Sequence, residues 1–207
     1  MKHRYAAIGT AVVAMALLMT TAFSAAPPSG AAASSAGNTL QRPHDLRELV
    51  FLSSGFGMAY GPVAEAARKA GGLAPFSNVF VTPQAYRSFM QSGQWPDGAT
   101  FFLEVRQGVG HTAADIKGAS QGPLIGLEAE QKDSTRYPNG GFAYFDFGPG
   151  GTKERAAPLP RSAACYACHS QHGAVEWTFT QFYPEQFAIA QHKGTVRRDY
   201  DPNRKLD

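Results

Sequence analysis

The sequence predicts an α+β domain, an antiparallel sheet flanked by helices. Three observations carry this. Helical patterns stand near the two ends of the body, strand-forming runs lie between them, and Gly/Pro-rich turns separate the runs. The ordered body is expected over residues 41–191, which suits one domain with one core. No internal repeat is visible in it.

The elements follow in order. Asp45 to Leu52 reads as a short helix, with apolar Leu46, Leu49 and Val50 and Asp45 as cap. Asn78-Val79-Phe80-Val81 is rich in β-formers and ends at Thr82-Pro83. Pro83 then opens a helix, Gln84 to Gln91, stopped by Ser92-Gly93. Trp95-Pro96-Asp97-Gly98 is a turn. Thr100 to Arg106 alternates, with Phe101, Leu103 and Val105 on one face. Leu124 to Glu130 and Gly141 to Phe147 are further strands, and Gly148 to Pro160 is a loop. Short helices are expected over Ala163 to Gln171 and Pro184 to Gln191.

The chain begins with a basic head, an apolar run from Ala6 to Met19 and small residues up to Ala26. That order is a cleavable export signal over residues 1–26, which predicts a periplasmic or secreted protein with no stable membrane insertion after cleavage; the alternative reading is an uncleaved membrane anchor. No Cys lies near the junction, so no lipid anchor is expected. Residues 27–40 have little to bury and read as a flexible leader. Of the 19 basic residues, Lys2 and Arg4 leave with the signal, so 17 face 16 acidic ones. The basic tail over 192–207 is expected to be solvated, and the near-neutral body gives no reason to expect nucleic acid.

The two cysteines stand three apart in Cys165-Tyr166-Ala167-Cys168-His169. This C-x-x-C-H run is the signature of covalent haem c attachment, one haem through two thioethers. One helical turn spaces the sulfurs to match the two haem vinyl groups. The following imidazole, His169, falls under the iron as proximal ligand. A structural zinc site would need a second Cys/His pair, and a redox dithiol would follow a strand of a thioredoxin-like unit. Neither pattern is present. Candidates for a sixth iron ligand are His44, His111, His172, His192, Met58 and Met90. His172 shares the helix of His169 and cannot cross the haem plane. The other histidines sit in polar stretches and Met90 in a helix, which leaves Met58 as the contender.

Several segments in order resemble the cytochrome P-460 and cytochrome c′-beta family. They are Gly57 to Gly61, Val79 to Pro83, Trp95 to Gly98 with the strand ending in Glu104, Gly126 to Ala129, Phe142 to Phe147, Cys165 to His169 and Phe179 to Pro184. The resemblance implies an antiparallel sheet with flanking helices, a homodimer and a five-coordinate haem. One branch of this family oxidises hydroxylamine and joins a strand lysine to the haem edge. The other lacks that link and binds nitric oxide or related gases behind an apolar wall. Here the linking position is Leu103, while Lys117 and Lys132 read as loop residues. Glu128 matches a family carboxylate that can reach the distal pocket, and it is the tentative catalytic residue. By alternation it shares a face with Glu130, so surface and pocket readings stand side by side. Phe101, Leu103 and, more weakly, Phe56 are the expected pocket walls.

Three function classes follow. The first is a five-coordinate haem protein for a small gaseous or nitrogenous ligand. The second is a haem oxidoreductase acting on hydroxylamine, nitric oxide or peroxide, with Glu128 as its acid/base group. The third is an electron-transfer cytochrome with Met58 as sixth ligand and a redox partner.

Overall fold

The computed structural model describes residues 38–58, 73–110, 114, 117–138 and 140–205. The expected export signal and most of the expected leader lie outside these residues, as do His111 and Ala59 to Gly61. Among the described residues no helix is long and apolar enough to cross a membrane.

The fold is α+β, as its pattern predicts. Five strands form one antiparallel sheet in chain order: β2 (Val50–Phe56), β3 (Leu73–Val81), β4 (Thr100–Gly110), β5 (Ala119–Lys132) and β6 (Phe142–Pro149). A second, two-stranded sheet joins β1 (Leu40–Gln41) to β7 (Arg155–Ala156). The helices are α1 (Pro83–Ser92), α2 (Ala164–His172) and α3 (Pro184–Lys193). Pro83 sits in the first turn of α1, where its missing N–H costs nothing. Gly93 ends that helix at φ 73°, a left-handed cap whose N–H reaches the Phe89 carbonyl.

Three sequence expectations are corrected. The helix expected from Asp45 to Leu52 is only a 3₁₀ turn, Leu46–Glu48, with Asp45 accepting from the Arg47 N–H at 2.9 Å. Val50 then starts β2, because its β-branched and aromatic run pairs with β3 along the sheet edge. Lys132 lies in strand β5 rather than in a loop; Lys117 is an exposed turn residue. The tail past α3 is docked, not free. Arg197 donates to the carbonyls of Ser170, Gly173 and Glu176, and Arg204 to that of Gln171.

Cross-strand register sorts the sheet into two faces. One row holds Val79, Leu103, Glu128 and Asp146, and the next holds Val81, Phe101, Glu130 and Tyr144. Partners directly opposite share a face, so these eight side chains point to one side. Along that side, Val81 and Phe101 join α1 and α3 in a core with Phe89, Trp95 and Ala190. Trp95 stacks on Phe89, meets Phe101 edge-on at 4.7 Å between centroids, and donates to Thr180 Oγ1. The other side carries Phe102, Leu127, Ala129, Phe145 and Phe147, covered by Leu40, Leu46, Leu49 and Ala156. It also buries a polar knot in which Asn78 donates to Glu104 and Arg106 pairs with the same carboxylate.

Candidate functional site

The helix α2 crosses the first face of the sheet. Its first two turns carry Cys165 and Cys168, and His169 follows directly. Both thiols are free and half-buried. All three residues line one cavity of about 440 Å³ between the helix and the sheet. Apolar walls come from Val79, Phe101, Leu103 and Phe179. Such a volume and lining suit a large, flat, mostly apolar ligand.

His169 is held from behind. Its Nδ1 lies 2.8 Å from the Trp177 carbonyl oxygen. A carbonyl only accepts, so in the neutral ring Nδ1 carries the proton and Nε2 keeps its lone pair. That carbonyl is aimed by a tight turn after α2. Glu176 adopts a left-handed φ of 53°, its carboxylate is gripped by Lys132 Nζ at 2.6 Å, and Val175 bridges to Thr178. Gly173 permits the return: a Cβ there would stand 2.7 Å from the Trp177 carbonyl carbon and 2.9 Å from the His169 oxygen. Tyr144 and Phe179 clamp the imidazole, with ring centroids 4.5 and 4.2 Å away.

The carboxylates of this face divide by position. Glu128 lines the cavity opposite Leu103 on β4 and Asp146 on β6. Burial pushes its carboxyl up to about 7, with the Asp146 charge adding to the effect and His169 opposing it. Asp146 accepts from the Gly148 N–H at 2.6 Å. Glu130 is 7 % exposed and stands 3.4 Å from His169 Nδ1. Burial also raises both thiols; for Cys165 the nearby Glu128 charge adds to it.

The expected site residues are therefore largely brought together: Cys165, Cys168, His169, Phe101, Leu103 and Glu128 all line the cavity. Phe101 serves both wall and core. Phe56 is the exception and is corrected. On β2, Ser53 and Gly55 face the cavity, so alternation turns Phe56 to the other side, where it is 54 % exposed and packs on Phe76. Met58 lines the cavity, whereas His44, His172, His192 and Met90 do not. No lysine among the described residues lines it; Lys132 Nζ is spent on Glu176 and the Trp95 carbonyl. Sequence reading missed Glu130, Tyr144, Asp146 and Trp177 as site residues. The first two stand opposite each other on β5 and β6, a signal available only once the register is known.

The donor set fits a covalently held haem. Two thiols one helical turn apart, an imidazole with a bare Nε2 and apolar walls share one cavity. The sequence profile of the family described as Cytochrome P460 matches residues 59–180, more than half of the chain. No curated protein matches it. A c-type haem motif in this cavity and a family match over the same residues lead to one conclusion: the chain belongs to the cytochrome P460 family.

Proposed function

We propose that this is a periplasmic or secreted homodimeric protein with one covalent haem, five-coordinate, that binds nitric oxide or a related small gas. Cys165 and Cys168 form the two thioethers, and His169 Nε2 ligates the iron. The observation that carries the reading is the cavity lining. Opposite the cysteine helix stand Val79, Phe101 and Leu103, and no second histidine or lysine joins them among the described residues. Bound there, the haem supplies an iron with one open position for a diatomic ligand.

The chain's own residues then have defined work. The Trp177 carbonyl fixes the imidazole tautomer. Leu103 stands where the hydroxylamine-oxidising branch carries its linking lysine, and an aliphatic group cannot form that bond. Val79, Phe101 and Leu103 offer a polar substrate no donors, and each polar group left unpaired against them would cost about 1–3 kcal/mol; the polar groups of the lining include Ser53, Ser77, Glu128 and Tyr144. Glu128 is the group that can hold or release a proton near neutral pH beside the ligand.

A second reading has one observation behind it. Met58 lines the same cavity, and a thioether on the iron would make an electron-transfer cytochrome. Nitric oxide titration of the ferrous protein, with Met58→Ala in parallel, tests both. The gas-binding reading expects stoichiometric nitrosylation from a high-spin ferrous state, unchanged in Met58→Ala. A low-spin ferrous state that Met58→Ala converts to high-spin would move the protein to the carrier class.

A further inference from the structure

We infer that Glu130 is a positioning residue for His169: its buried carboxylate stands behind the imidazole and holds negative charge against the iron's proximal ligand. The inference rests on the haem reading of the cavity and goes beyond it.

Two oxygens stand near His169 Nδ1. The Trp177 carbonyl is nearer, at 2.8 Å, and takes its hydrogen bond. Glu130 Oε1 follows at 3.4 Å. The same oxygen accepts from the Tyr144 hydroxyl at 3.4 Å, and Tyr144 in turn packs its ring on the imidazole. A carboxylate this buried normally faces Lys or Arg. Among the described residues Glu130 has no such partner. The nearest lysine on its own strand, Lys132, is turned to Glu176. The partners of Glu130 are thus a phenol and the imidazole of His169.

That isolation has a physical consequence. A buried charge without a cation is costly unless something nearby compensates it. A ferric centre carries one positive charge more than a ferrous one, so a carboxylate behind the ligand favours the ferric state. It acts on the imidazole through its field, since the Nδ1 hydrogen bond goes to the Trp177 carbonyl. The neutral Trp177 carbonyl fixes the tautomer; the carboxylate supplies the charge. β5 places it, opposite Phe101 on β4 and Tyr144 on β6.

The test uses the full matured protein. Redox titration and resonance Raman of the ferrous state are run on wild type, Glu130→Gln, Glu130→Asp and Glu128→Gln. Glu130→Gln should shift the ferric/ferrous ratio about tenfold toward ferrous, about 59 mV for one electron, and should lower the iron–imidazole stretch. Glu130→Asp keeps the charge but withdraws it, so its stretch should fall between the two. Glu128 lines the same cavity and meets His169 only through its charge, so Glu128→Gln should lower the stretch by less than Glu130→Gln does. If the Gln variant fails to mature, the Asp variant carries the test, with a stretch below wild type expected. An unchanged stretch in the Glu130 variants, or an equal fall in Glu128→Gln, overturns the inference alone. Wild type without bound haem overturns the proposed function and this inference with it.

Discussion

Cys165, Cys168 and His169 are adjacent in the chain, so one helical turn brings them together and a local motif suffices to find them. Glu128 is different. Alternation alone left it on either a solvated or a pocket face, and the pairing of β5 with Leu103 and Asp146 turns it into the cavity. Its carboxyl is raised to about 7, chiefly by burial and then by Asp146. The sign follows from linkage. Between about pH 4.5 and 7 the folded protein keeps a proton that the unfolded chain loses. Glu128 therefore costs no stability at low pH, an increasing amount through that window, and its full cost above it, at most about 3 kcal/mol because solvent reaches the cavity. Glu128→Gln should raise the melting temperature at pH 8 relative to wild type and leave it unchanged near pH 4. Parallel melting curves across that range would show that the carboxyl is not perturbed. The contact of Glu130 with His169 joins residues far apart in sequence, and that of Trp177 depends on the turn that follows the helix, so no pattern in the motif announces either.

Among the elements, the four strands β3 to β6 and the three helices were legible because strand-forming runs, Pro at helix starts and Gly at helix ends are local signals. The strand β2 was not. Its Ser53-Ser54-Gly55 centre has weak strand propensity, and the apolar spacing at Leu46, Leu49 and Val50 mimics a helical turn. Tertiary pairing with β3 decides it. That strand also supplies the most exposed phenylalanines among the described residues, Phe51 at 53 % and Phe56 at 54 %, packed on Phe80 and Phe76 of β3. Paired exposed rings on one sheet face suit the proposed homodimer contact. Sedimentation should show Phe51→Ser/Phe56→Ser as a monomer at concentrations where wild type is a dimer, with an unchanged haem spectrum. A dimeric double variant would place the contact elsewhere.

For the whole molecule, the sheet works as a two-sided plate. One side is covered over β4 to β6 by the N-terminal strand and β7, and the other carries the cavity under the cysteine helix. The C-terminal tail finishes the assembly by tying Arg197 to the carbonyls that end α2, a role its charge alone did not reveal. The central claim is that one haem is held by the two cysteines of that helix and by no other covalent bond. Peptide mass spectrometry of the tryptic digest, after expression with cytochrome c maturation machinery, tests it most directly. The account predicts haem on the single peptide containing Cys165 and Cys168. A digest whose haem is free, or is joined to a lysine peptide such as that of Lys117 or Lys132, would contradict it.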